Sequence, residues 1–236
     1  MTTGPRALPQ GEEKTARVRS MFDAIAPRYD LVNRLMTFGL DQSWRRDTVA
    51  ALALPPGSLL LDVACGTGDL SRLARRRHYR VIGADLSAGM LAANHSGAPL
   101  LQADCSRLPF PDGAFDGLVC GYALRNFTDL AGALAETARV LRPGGRLAVL
   151  EVDAPRSTFL RTGYDIWFTK VVPRLGAALS DRDAYDYLPR SVAYLPPSPI
   201  LRSMVADAGY SGVGIRPLAG GLSQLLYATR SGIPAP

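Results

Sequence analysis

Several things are scarce in this sequence, and each scarcity closes a route. Three cysteines in 236 residues, Cys65, Cys105 and Cys120, show no C-x-x-C spacing. That argues against a disulfide framework and against a zinc site. His78 and His95 are the only histidines, so a mechanism built on a histidine pair has little to work with. Lysine occurs only at Lys14 and Lys170, so the basic residues are nearly all arginines, scattered except for the run Arg75, Arg76 and Arg77 flanked by Arg72 and Arg80. The formal charge of +6 therefore lacks the aromatic-interleaved basic stripe, or the recognisable module, of a nucleic-acid reader. The run reads as a solvated helix face, with weak contact to acidic lipid headgroups as the alternative. No stretch of 18 apolar residues is present, which excludes a membrane-spanning helix. The opening MTTGPRALPQGEEKTAR lacks the apolar core of a signal peptide, and a cytoplasmic protein, peripheral to a membrane at most, is the expectation.

What is present suits one folded domain. The chain is 47% hydrophobic and 20% charged, enough to bury a core and too apolar for disorder. The expected organisation is a single domain over 1–236, with 1–16 loose, a helical cap over 17–54 and a helical insertion over 155–199 rich in aromatics (Tyr164, Trp167, Phe168, Tyr185). In the cap, Val18, Met21, Phe22 and Ile25 recur at helical spacing before Pro27, and Leu31, Leu35 and Phe38 continue a second short helix. After the breaker Pro55-Pro56-Gly57 the register changes. LLLDVAC (59–65), RVIGADLS (80–87), PLLQAD (99–104), FDGLVCG (115–121) and RLAVLEV (146–152) are short apolar runs separated by helical stretches, and two closing strands follow a last helix. This alternation predicts an α/β fold with a doubly wound, mostly parallel seven-stranded sheet.

The chemistry concentrates at the carboxyl edge of that sheet. Asp62-Val63-Ala64-Cys65-Gly66-Thr67-Gly68-Asp69 lies where the first strand meets the first helix of the sheet region. Glycines there let the backbone approach a ligand, and a helix N-terminus offers free N–H groups. The turn is not the dinucleotide fingerprint, because Leu70 and Ser71 stand where its third glycine would fall. Asp85, nineteen residues after Gly66, ends the second strand, where a carboxylate can accept both hydroxyls of a ribose. Asp104-Cys105 ends the third strand beside the same crevice. The cysteines read as small core or loop residues rather than nucleophiles, since none has a histidine partner.

D-V-A-C-G-T-G-D is similar to the first motif of class I S-adenosylmethionine (SAM)-dependent methyltransferases. MFDAIAPRYDLVNRLMTFGLDQSWRR (21–46), ADLSAGML (84–91), LPFPDGAFD (108–116), ALRNFTD (123–129), VLRPGGRLAVLE (140–151) and the stretch from Tyr164 to Val192 resemble the ubiquinone/menaquinone C-methyltransferase family over nearly the whole chain. The resemblance implies SAM as cofactor, with Tyr29, Gly66, Thr67, Gly68, Asp85, Asp104, Cys105 and Gly121 around it. Tyr29 would lie over the methionine end, and Asp104 and Cys105 on the adenine side. Gly121 falls where relatives often carry a serine that touches SAM. Arg125 and Asn126 would point into the acceptor site and be the catalytic pair, with no metal required. The implied partner is an apolar aromatic small molecule, a quinol precursor such as demethylmenaquinol. Association into a homodimer stays open.

Two departures bear on the acceptor. Leu226 stands where relatives carry a histidine, and Tyr122-Ala123 replaces the usual Phe-Gly. They keep two alternatives in play: a tailoring O- or C-methyltransferase for a polyketide or other small aromatic, and a SAM-binding protein without methyl transfer. For a quinol, ionising the hydroxyl makes the adjacent ring carbon electron-rich; free phenols have a pKa near 10. A cation nearby lowers it, the part expected of Arg125.

Overall fold

The computed structural model describes residues 10–153, 187 and 190–232. Most of the expected insertion, with Tyr164, Trp167, Phe168 and Tyr185, lies outside the described residues.

Three helices precede the sheet: α1 (Gly11–Ile25), α2 (Tyr29–Met36) and α3 (Asp41–Ala51). Then follow β1 (Leu59–Val63), α4 (Asp69–Arg76), β2 (Arg80–Asp85), α5 (Ala88–Ala92), β3 (Leu100–Gln102), β4 (Phe115–Gly121), α6 (Leu130–Val140) and β5 (Leu141–Val152). The described chain closes with α7 (Ser198–Asp207), β6 (Tyr210–Leu218) and β7 (Ser223–Arg230). The seven strands form one sheet in the order β3-β2-β1-β4-β5-β7-β6. All neighbours are parallel except β7, which runs antiparallel to both β5 and β6. The expected α/β sheet is what forms.

The apolar runs are continuous because both faces of the sheet are covered. Side chains alternate across it. Leu61, Leu118, Leu147, Val149 and Leu226 pack on the side of α6 and α7. Leu60, Val119, Ala148, Leu150 and Leu225 pack on the side of α3 and α4 with Trp44 and Leu70. Strand order reverses at β1: the chain moves outward to β2 and β3, then returns to place β4 on the other side of β1. The crevice at that switch point, outside the carboxyl ends of the strands, is where open α/β sheets bind ligands.

One expectation about the cap needs correction. Helix α1 begins at Gly11, inside the stretch 1–16 expected to be loose. Its first turns are tied to the loop before α6: Lys14 Nζ donates to the Phe127 carbonyl at 2.8 Å, and the Thr15 and Thr128 hydroxyls meet at 2.8 Å. Glu12 and Glu13 at its N-terminus also suit the helix dipole. In α2 the buried residues are Val32 and Met36, joined to Ile25, Ala26 and Met90. Leu31, Leu35 and Phe38 are exposed, at 52%, 44% and 74%. The second short helix forms as expected, and the apolar residues of this segment occupy two faces.

Candidate active site

The carboxyl ends of β1, β2 and β4 open into a cavity of about 450 Å3, within the range of small-molecule sites. Its floor is the turn after β1, where Ala64, Gly66 and Gly68 all take positive φ (54°, 52° and 91°). For Ala64 that conformation costs on the order of 1 kcal/mol; the surrounding turn holds it, with Cys65 N–H bound to the Ala84 carbonyl at 3.1 Å. Glycine is required at 68 on two counts. It caps α4 in the left-handed region, and a Cβ would stand 2.6 Å from Asn94 Oδ1.

Asp85 lines the cavity at the end of β2. One carboxylate oxygen accepts the Gly66 N–H and the other the Ser87 N–H, each at 2.8 Å. The acid thus organises the glycine turn, and a carboxylate so placed can still accept from a further donor. Burial pushes its pKa up, against the pull of those N–H groups. Beneath the turn, Asp62 is 1% exposed and accepts from Ser71 Oγ at 2.6 Å, while its Oδ1 has no hydrogen-bond partner among the described residues. Burial raises the Asp62 pKa to about 7. Asp104, Cys105 and Ser106 contribute from the loop after β3. Burial lifts the Cys105 thiol to about 12, so it stays neutral and unreactive.

The roof is the N-terminal cap. Val18 and Phe22 of α1 and Tyr29 of α2 line the cavity. The cap is fastened by polar clasps as well as by packing. Asp23 accepts from Ser87 Oγ at 2.5 Å and from Gly89 N–H at 2.8 Å, and these bonds hold its pKa down. Asp30 accepts from Thr67 Oγ1 at 2.6 Å. His95 reaches both Asp30 (3.8 Å) and Asp69 (3.6 Å). Asp23 connects through Ser87 to Asp85, so the roof is wired to the acid on the floor. Sequence reasoning missed Asp23, Asp30 and Ser87. The serine and its glycine sit in the motif ADLSAGML, but nothing in sequence spacing pairs them with an aspartate more than sixty residues upstream.

Of the residues expected around the ligand, Tyr29, Gly66, Asp85, Asp104, Cys105, Gly121 and Asn126 line this cavity. Three do not. The Thr67 hydroxyl is turned to Asp30, and Gly68 serves the helix cap. Arg125, expected to point into the acceptor site, is drawn behind the wall because a buried carboxylate captures it. Its Nη1 donates to Glu151 Oε1 at 2.5 Å and to the Tyr122 carbonyl at 2.7 Å, and its Nε to Ser191 Oγ at 3.1 Å. Its neighbour Asn126 faces the cavity and accepts from the Tyr187 hydroxyl at 3.3 Å. At Gly121 a Cβ would come within 2.9 Å of Leu70 Cδ1, so a serine here would need Leu70 to move.

Leu226 is also not where its departure suggested. It lies in mid-strand of β7 between Val149 and Ile215, 1% exposed, in the core shared with α6 and α7. It does not line the cavity. Leu226→His should lower stability by about 1–3 kcal/mol, because an imidazole would be buried among apolar neighbours. A melting curve checks this, and SAM affinity and kcat of the folded protein should stay within about twofold of the parent. A large gain in kcat would return this position to the acceptor site.

The strand order, the glycine turn after β1 and the acid ending β2 define a class I SAM-dependent methyltransferase fold. The sequence profile of the ubiE/COQ5 methyltransferase family matches residues 10–230. The chain belongs to that family, and it is a SAM-dependent methyltransferase. It is 37% identical over 233 residues to the ubiquinone/menaquinone biosynthesis C-methyltransferase UbiE of Geobacter sulfurreducens, covering 94% of this chain and 91% of that one. To the demethylmenaquinone methyltransferase of Mycolicibacterium paratuberculosis it is 40% identical over 215 residues, covering 90% and 94%. Among solved structures it resembles the magnesium protoporphyrin IX methyltransferase of Synechocystis with bound SAH (TM-score 0.64, 18% identity, 92% and 100% covered). It equally resembles the [4+2]-cyclase SpnF (TM-score 0.66, 17% identity, 98% and 99% covered). At such identities the likeness is one of fold, and a cyclase among the neighbours shows that the fold alone does not dictate methyl transfer. Among the described residues no helix is long and apolar enough to cross a membrane.

Proposed function

We propose that this enzyme methylates a ring carbon of a reduced quinone precursor such as demethylmenaquinol. The observation that carries the reading is the mixed character of one cavity. Asp85 and Asp104 line it together with Val18, Phe22, Tyr29 and Phe127, so a nucleoside and an apolar aromatic ring can share it. The activities named for the relatives above support the same choice.

The residues present fit SAM. Asp85 has acceptor capacity for the ribose, Asp104 stands ready for the adenine amino group, and Gly66, without a side chain, lets the ligand approach the turn closely. SAM, when bound, supplies an activated sulfonium methyl that needs an in-line nucleophile more than covalent help. The chain's part is to hold the acceptor ring and orient its hydroxyl for loss of the phenolic proton. Tyr29 suits the holding role, since burial raises its pKa and its phenol stays protonated, a donor rather than a base. Asn126, the polar group of the L-R-N turn that lines the cavity, suits orienting the acceptor's hydroxyl; its amide is not a base, so the phenolic proton leaves to solvent water. The apolar tail of such an acceptor would bring the enzyme to a membrane surface, where its surplus of arginine meets acidic headgroups.

Labelled SAM offered with a panel of quinols and simple phenols tests the proposal. Label on a ring carbon of the quinol is the expected result. Preferred transfer to phenol oxygen would favour the tailoring reading, which has lost the support of Leu226. No transfer to any acceptor, with SAM bound, would favour a binding protein or a cyclase.

A further inference from the structure

We propose that Glu151, buried at the carboxyl end of β5, is a positioning residue that sets the acceptor-side wall through Arg125. The inference rests on the methyl-transfer reading for its kinetic arm only. Glu151 is 1% exposed and does not line the cavity. It grips Arg125 twice: Oε1 takes the guanidinium at 2.5 Å, and Oε2 takes the Arg125 backbone N–H at 3.4 Å. Oε1 also accepts the Val152 N–H at 2.8 Å, which anchors the carboxylate to its own strand.

The arginine carries that grip forward. Its Nη1 also holds the carbonyl of Tyr122, a non-glycine residue at φ 59°. A left-handed tyrosine persists only where its surroundings over-determine it. Here those surroundings are Arg125 on its carbonyl and the Leu150 carbonyl on its N–H at 2.6 Å. Gly121 at the end of β4 and then Tyr122, Ala123 and Asn126 line the cavity, and Phe127 to Asp129 continue its wall. Tyr122 is further pinned by its hydroxyl to Ser223 at 3.2 Å and lies 5.6 Å from the Arg45 guanidinium. A buried acid that never meets a ligand thus fixes the backbone on which the acceptor-facing asparagine is mounted. A buried ion pair is a poor stability device but a strict geometric one.

The test is Glu151→Gln, with Glu151→Asp, Arg125→Gln and the double variant Arg125→Gln/Glu151→Gln beside it. Glutamine keeps the shape but presents a donor where Arg125 or Val152 now finds an acceptor. Hydrogen exchange of the amides over 121–126 should accelerate on the order of tenfold in Glu151→Gln, with the strand amides of β1 and β2 unchanged. This arm needs no substrate. SAM affinity by calorimetry should stay within about threefold, because Asp85 at the end of β2 and Gly66 in the turn after β1 lie outside the segment 121–126. The kcat should fall roughly a hundredfold, the scale of an ångström misplacement. The aspartate variant should recover part of it, and the double variant should be no slower than the worse single one. Unchanged exchange over 121–126 would overturn the proposal. So would losses that simply add in the double variant, or an equal fall in SAM affinity, which would mark a general loss of structure. Failure of the methyl-transfer reading instead shows in the parent enzyme, as SAM binding without product, and leaves the exchange result standing.

Discussion

Asp85→Ala should weaken SAM binding by at least about tenfold, and more than a hundredfold is within reach. A hydrogen bond to a charged group contributes about 1.5–3 kcal/mol, and about 1.4 kcal/mol is a factor of ten. The alanine removes that bond, and it also strands two donors. The N–H groups of Gly66 and Ser87 each lose their 2.8 Å acceptor, and the glycine turn loses the group that shapes it. Asp85→Asn separates the two effects. Its amide oxygen can still accept one N–H, so the turn is partly kept while the charge is gone. Calorimetry with SAM should therefore rank parent, asparagine, alanine in falling affinity. Equal affinity in all three would remove Asp85 from the cofactor site.

How much of this is legible in the sequence divides along physical lines. The strands from β1 onward are readable because burial on both faces demands unbroken apolar runs, and glycine or proline marks their ends. Asp85 is readable because its place, the end of the strand after a glycine turn, follows from topology alone. Polar contacts across the fold are not readable. Asp23 on Ser87, Asp30 on Thr67 and Glu151 on Arg125 join residues 26 to 64 positions apart, and no local periodicity encodes such pairs. The motif L-R-N suggests the turn and both of its polar residues; only Asn126 lines the cavity, because sequence cannot say which of two adjacent polar residues meets a buried carboxylate. Leu226 misleads for a related reason. A departure from a family pattern looks functional until the register of β7 shows it facing the core.

Arg125→Lys is the sharpest consequence. If the cation acted directly on the acceptor's hydroxyl, an ammonium would serve nearly as well, and the remaining deficit would shrink as pH rises toward the phenol's own pKa near 10. The geometry argues otherwise. The guanidinium commits its Nη1 group to Glu151 and the Tyr122 carbonyl and its Nε–H to Ser191 at once, a three-way hold that a single ammonium on a flexible stem does not reproduce. Its charge is already countered by Glu151, so little is left to pull a proton from the acceptor. The lysine variant should keep SAM affinity within about threefold and lose roughly a hundredfold in kcat. The ratio of parent to variant rates should stay flat between roughly pH 6.5 and 9, since a displaced wall is displaced at every pH. A ratio that closes steadily over that range would show the charge reaching the acceptor after all, and would make Arg125 a catalytic residue rather than the strut behind one.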